Sequence, residues 1–274
     1  ANPRPDGPTL GRMYDDPEYY THGYNLGVED RNYFERKDEL LAQYDGEVEV
    51  IEEEVGGRGR MLELGSAGGF FLEAARRRGW EVRGVELSPP AAKYSKEELG
   101  LEVFEGLLED APWEPASFDV AIADNVLEHT TDPTQVVRDL LALLKPGGHL
   151  LIVVPTYVNS IFFRAVLAFG NLVPRRLLGQ SLLRMLKLDD DHDGAAPYHS
   201  HEFDRRTLER LVRAAGGEIV TSRGSVPYPA SLFKKPDPTL VDRLLRGVFR
   251  TLNLGMRLGV LPGARVRLLA RAKR

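Results

Sequence analysis

Two acids flank a glycine-rich turn, and together they set the chemistry open to this chain. Glu63 sits in a short apolar run, Met61, Leu62 and Leu64, that leads directly into Gly65-Ser66-Ala67-Gly68-Gly69. A stretch with helical spacing follows, from Phe70 to about Arg78, and Gly79 stops it. A second apolar alternation, Trp80, Val82 and Val85, then ends at Glu86. Strand, tight turn, helix and strand in that order open a nucleotide-binding α/β sheet. A dinucleotide site wants G-x-G-x-x-G, so that helix amides can approach a pyrophosphate. Here those positions are Gly65, Ala67 and Phe70, so a methyl group and an aromatic ring stand in the way. Glu63 would also repel phosphate. An acid there suits a ligand carrying positive charge, such as an ammonium or a sulfonium. Glu86 is placed to accept hydrogen bonds from both hydroxyls of a ribose. The ligand implied is an adenosine joined to a cationic amino-acid tail.

Met61–Gly69 resembles the first motif of class I S-adenosylmethionine-dependent methyltransferases, an acid followed by G-x-G-x-G. Ala67 stands where the middle glycine is usual, which suits a turn that does not need positive φ there. Phe118–Asp124 reads as the fourth strand, and Asn125-Val126-Leu127-Glu128-His129 after it resembles the family's fourth motif, with its L-E-H ending. Asp132-Pro133 caps a helix to Leu144, and Lys145-Pro146-Gly147-Gly148 turns into a fifth strand, His149 to Val154. The overall pattern is similar to ubiquinone-pathway methyltransferases. The resemblance implies S-adenosylmethionine as cofactor and methyl transfer to an oxygen or nitrogen atom of a small-molecule acceptor.

Residue by residue, it places Glu63, Gly65, Ser66, Ala67, Gly69, Glu86 and Leu87 around the cofactor, with Asp124 and Asn125 at the fourth strand's end. Leu107 and Leu108 border the adenine. The acid that usually binds the adenine amino group falls where Leu107 stands, so the Leu108 backbone or Glu109 must supply that contact. A base is needed only if the acceptor is a hydroxyl or a protonated amine. His129, beside the reacting end, is the first candidate; its competing role is helix packing. His199 and His201 are further candidates on a segment that could fold over the cleft, where a lid or surface role competes. Tyr19, Tyr20 and Tyr24 could orient an acceptor.

These residues need a scaffold. The β–α alternation over residues 60–155 gives parallel strands with right-handed crossovers, and ligands in such sheets sit at the carboxyl ends of the strands. The fold class expected is α/β, a Rossmann-like seven-stranded, mostly parallel sheet with helices on both faces and helical insertions. Residues 1–58 read as an aromatic-rich arm and helices acting as a lid, with a helical stretch from Asn32 to Val55 divided near Asp45-Gly46. Residues 59–156 form the cofactor-binding core, with Ser88 as the N-cap of the helix ending at Leu99. Residues 157–202 form a helical insertion and acidic loop on the acceptor side. Residues 203–274 complete the core: a helix from Glu202 to Ala215, a sixth strand at Glu218–Thr221, a helical insertion near 239–260, and a last strand, Arg265–Ala272, pairing with the sixth.

Composition narrows the classes. The chain has 274 residues, 42% of them apolar, a net charge of −5 and a pI near 5.8. That charge argues against general nucleic-acid binding. With no cysteine there is no thiolate chemistry and no zinc–sulfur site. No run reaches the roughly 18 apolar residues of a membrane span and no secretory segment is visible, so a cytoplasmic protein is expected. The acidic run Asp189–Asp193 with His192 reads as a solvated loop, and no metal site is expected. The two basic amphipathic stretches, Ile161 to Leu188 and Thr239 to Val260, are read as a pocket roof or a homodimer contact, with peripheral membrane contact and a lipid-soluble acceptor as the alternative. A non-catalytic binding subunit that keeps the fold is a further alternative, favoured by Ala67 and Leu107.

Overall fold

Short strands with apolar residues on both faces build the centre of the molecule. The computed structural model describes residues 32–156, 200–225 and 265–273, together with positions 14, 15, 20, 243, 246, 247, 250, 251, 254–256 and 263. The stretch 161–188, the acidic run 189–193, His199 and most of the N-terminal arm and of residues 239–260 lie outside the described residues. The strands are β1 (Arg60–Leu64), β2 (Glu81–Glu86), β3 (Val103–Glu105), β4 (Phe118–Asp124), β5 (Leu144–Pro155), β6 (Glu218–Ser225) and β7 (Arg265–Arg271). They form one sheet in the order β3-β2-β1-β4-β5-β7-β6. β1 to β5 are parallel, while β7 runs antiparallel to both β5 and β6. This is the expected mostly parallel, seven-stranded sheet.

Alternation decides which face each side chain covers. On one face Met61, Val120, Ile122 and Leu151 pack with α1 (Lys37–Val55), α2 (Phe70–Arg77) and α3 (Pro89–Glu97). On the other, Leu62, Leu64, Ala121, Ala123, Leu150 and Ile152 meet α4 (Pro133–Leu143) and α5 (Arg205–Ala214). Each fully buried Leu or Ile contributes about 1.5–3 kcal/mol. The sheet is therefore dry on both sides, and its strand ends are where polar groups can collect.

α1 is one continuous helix through Asp45-Gly46, not two. A mid-helix glycine costs about 1 kcal/mol against alanine. Leu40, Leu41, Val48 and Ile51, all buried on the core side, outweigh it. Gly56 ends the helix in the left-handed region at φ 79°. Just before it, Glu52 accepts from Arg78 Nη2 at 2.9 Å, Arg58 Nε at 3.0 Å and the Trp80 indole at 3.0 Å. The Arg78 guanidinium leads in lowering the Glu52 carboxyl to about 2.

Asp132 caps α4 as expected, accepting from the Thr134 and Gln135 amides at 3.0 Å. Asp204 caps α5 by accepting from the Thr207 amide at 2.7 Å, so that helix starts at Arg205 and not at Glu202. Ser88 departs from expectation: its side chain makes no capping bond, and Pro89 and Pro90 open α3 instead. The Lys145–Gly148 turn lies within β5. Leu144 pairs with Phe118 and His149 with Val120, so the extra residues between them bulge out of the ladder.

Candidate active site

The turn after β1 is shaped by close packing. Gly65 has φ 71°, and a Cβ there would lie 2.5 Å from Val126 Cγ2. The turn after β1 and the turn after β4 thus touch at the switch in strand order, between neighbouring β1 and β4. Gly69, at φ 79°, precedes α2, and a Cβ there would strike Leu101 and Ser95. Ala67 corrects the sequence-based expectation: it has φ 47°, so this turn does need the left-handed region. An L-residue pays about 1–2 kcal/mol for that. Two bonds hold it there. Its amide donates to Glu86 Oε2 at 2.7 Å, and its carbonyl accepts from Ser95 Oγ at 3.1 Å. Ser66 is buried beside it with no partner for its hydroxyl.

Four carboxyl groups gather at the ends of β1, β2 and β4. Glu86, 3% exposed, also accepts from the Ser88 amide at 2.8 Å and is bonded by the Leu87 amide and the Tyr20 hydroxyl. Burial raises its pKa against those bonds. Glu63 is buried, and its Oε2 has no partner. Burial, then the charges of Asp124, Glu86 and Glu47, push Glu63 well above the usual carboxylate range. Burial also pushes Asp124 up to about 6, with Arg265 and Arg267 opposing. Its Oδ1 accepts from Asn125 Nδ2 at 2.7 Å, and Asn125 itself sits at φ 54°. Glu128, 1% exposed, has neither oxygen hydrogen-bonded to a partner, and burial pushes it up to about 8. Among the described residues no lysine or arginine forms an ion pair with any of these four.

Of the candidate bases, His129 and His201 are tied to Glu128, and His199 lies outside the described residues. His129 closes the 3-10 turn Leu127–His129, with Nε2 3.9 Å from Glu128 Oε1. The amides of Ser200 and His201 donate to the Glu128 carbonyl at 2.8 and 3.0 Å. His201 stacks on Phe203 at 6.2 Å between centroids. Leu87 and Leu107 are half-buried, whereas Leu108 is buried among Leu62, Leu64 and Val85. That burial leaves Leu107 as the better placed of the two leucines to meet a ring. Sequence reasoning assigned no role to Glu128, Ser200 or the Tyr20–Glu86 bond. Glu128 did carry a signal, as an acid directly after the apolar pair Val126-Leu127 that follows a buried strand.

The fold is that of a Rossmann-like α/β protein, with carboxyl groups gathered at the ends of β1, β2 and β4. The chain belongs to the methyltransferase-domain family, whose model matches residues 33–222. It is 27% identical over 182 residues to a ubiquinone biosynthesis O-methyltransferase of Cupriavidus pinatubonensis, covering 63% of this chain and 65% of that protein. Alignments with the curated relatives span between 41% and 65% of their length. Among solved structures, a geranyl diphosphate C-methyltransferase from Streptomyces coelicolor, in complex with Mg²⁺, geranyl diphosphate and S-adenosyl-L-homocysteine, superposes with a TM-score of 0.57 at 15% identity, covering 98% of this chain and 99% of that one. A Thermotoga maritima protein described as a possible histamine N-methyltransferase gives 0.53 at 19% identity, covering 88% and 96%. Those two likenesses are of fold.

Proposed function

We propose that this protein is an S-adenosylmethionine-dependent methyltransferase acting on an oxygen or nitrogen atom of a small-molecule acceptor. The observation that carries the reading is the set of buried carboxyls at the strand ends, which no arginine or lysine among the described residues pairs. Glu63, Glu86 and Asp124, whose ionisation burial opposes, gain their charged forms when a cation binds beside them, whereas a phosphate would oppose it. When bound, the cofactor supplies a methyl group activated by a sulfonium. Glu86 offers its carboxylate to the ribose hydroxyls, Glu63 and Asp124 hold negative potential near the turn, and Leu107 covers an adenine face. Since the leaving group is already good, the chain's task is mainly to align the acceptor and keep water out.

The relatives carry different nucleophiles in their names: oxygen in the curated protein, carbon and nitrogen in the solved structures. The O-methyltransferase relative favours oxygen. Its name also favours, as a second reading, a lipid-soluble, quinone-like acceptor. Calorimetry with S-adenosylmethionine tests the proposal: saturable heat is expected, and its absence at millimolar ligand would support a fold-retaining subunit without activity.

A further inference from the structure

Glu128 is a buried acid that cofactor binding alone does not explain. It belongs to the turn directly after β4, whose last residue is Asp124, and its neighbour Val126 closes onto Gly65. The charge of Asp124 acts on it, so it stands beside the carboxyl cluster at the strand ends. Its backbone carbonyl is satisfied twice, by the Ser200 and His201 amides. Its carboxyl oxygens, at 1% exposure, accept no hydrogen bond, and His129 Nε2 is the nearby basic group at 3.9 Å. The hydroxyl of Ser200, also buried, has no hydrogen-bond partner either. A buried carboxyl that accepts no hydrogen bond marks a place prepared for a polar guest. A glutamate serving only the fold would be hydrogen-bonded, or could be replaced by an apolar residue with gain.

We propose that Glu128 is a catalytic residue that binds the acceptor's nucleophilic hydroxyl and takes its proton. The inference rests on the methyltransferase reading above. The acceptor's O–H bond breaks and its proton moves to a Glu128 oxygen. The acceptor oxygen forms the new O–CH₃ bond, and the electron pair of the broken S–CH₃ bond stays on sulfur, leaving a neutral thioether. His129, 3.9 Å from Glu128 Oε1 with its side chain 17% exposed, provides the way out for the proton. Other charged groups acting on Glu128 are Asp124 and Glu202, which oppose its ionisation, and Arg265, which favours it. Such a high-lying carboxylate is a far better match to a phenol-like hydroxyl than an ordinary one.

The test compares wild type with Glu128→Gln, using S-adenosylhomocysteine for binding and catechol, 4-nitrocatechol and benzylamine as acceptor probes. Glu128→Gln should bind S-adenosylhomocysteine within twofold of wild type. Its turnover of catechol should fall by about 100-fold or more, the scale of a lost general base. The ascending limb of the wild-type pH–rate profile should vanish with it. 4-Nitrocatechol, which ionises unaided near neutral pH, should restore Glu128→Gln to within about tenfold of wild type. A purely structural role would give no such rescue. Equal loss with both catechols, undiminished catechol turnover, or a wild type that methylates benzylamine and neither catechol overturns the assignment. Failure of wild type to bind S-adenosylhomocysteine would instead defeat the methyltransferase reading itself.

Discussion

The Tyr20 hydroxyl donates to the carboxyl of Glu86. Glu86 already accepts from the amides of Ala67, Leu87 and Ser88. A carboxylate offers about four lone-pair sites, so these protein donors fill it. Tyr20 is itself seated among Tyr33 and Phe34, with ring centroids at 5.5 and 5.8 Å. A ribose can reach Glu86 only by taking the place of that hydroxyl. Tyr20→Phe keeps the ring and removes the competitor, so its affinity for S-adenosylhomocysteine should rise about three- to tenfold, the value of one hydrogen bond. Isothermal titration measures this. A weaker complex would mean that Tyr20 helps hold the ligand.

Glu86→Ala removes the acceptor altogether. Affinity for S-adenosylmethionine should fall by about 1.5–3 kcal/mol, the worth of charge-assisted bonds to a ligand. Unchanged binding would take Glu86 out of the ligand contacts.

Ala67→Gly should stabilise the fold. The left-handed backbone at φ 47° costs alanine about 1–2 kcal/mol, and glycine returns about 0.4–1 kcal/mol of that as unfolded-state entropy. Urea unfolding should show a net gain of about 0.5–1 kcal/mol. A loss would mean that the buried methyl group is worth more than the strain.

Glu128 should make stability depend on pH. Its folded pKa, about 8, lies above the ordinary value of 4.5. Its contribution is fully present below about pH 4.5 and is lost as pH rises to and through 8, because over that window the unfolded chain has released a proton that the folded chain still holds. Glu128→Gln should therefore be more stable than wild type at alkaline pH, by roughly 1–3 kcal/mol, with the gap shrinking toward pH 5. Parallel thermal melts from pH 5 to 9 would reveal it, and coincident curves would refute it.

Glu52 has the opposite sign. Its folded pKa near 2 lies below 4.5, so its contribution is present above pH 4.5 and fades as pH falls through 2. At neutral pH Glu52→Gln should cost about 1–3 kcal/mol, since Arg78, Arg58 and Trp80 lose a charged partner. Denaturant midpoints check this.

Much of the scaffold was legible because short apolar runs ended by turns mark buried strands: Met61 to Leu64 and Phe118 to Asp124 appear in the sheet as read. Glu63, Glu86 and Asp124 were legible too, since an acid closing an apolar run is conspicuous. Backbone conformation was not. Ala67 looked like evidence against positive φ, because the rule weighs the residue and cannot see the bonds from Ala67 to Glu86 and Ser95 that hold it there. Gly46 suggested a break because its propensity is local, whereas the packing of Leu40 and Ile51 is tertiary. Ser88 looked like a cap, but its amide turns back to Glu86. The pairing of Ser200 with Glu128 joins distant positions and leaves no trace in spacing.

β7 lies between β5 and β6, and Gly263, just before it, accepts the Thr156 hydroxyl beyond the end of β5. The central strands can therefore be synthesised and paired well before their last neighbour exists. A nascent chain, or one truncated ahead of Arg265, would expose the whole margin of β5 and leave β6 without a mate in the sheet. Such an open margin invites pairing with other copies, so proteolytic trimming there should bring aggregation before it brings any subtler defect.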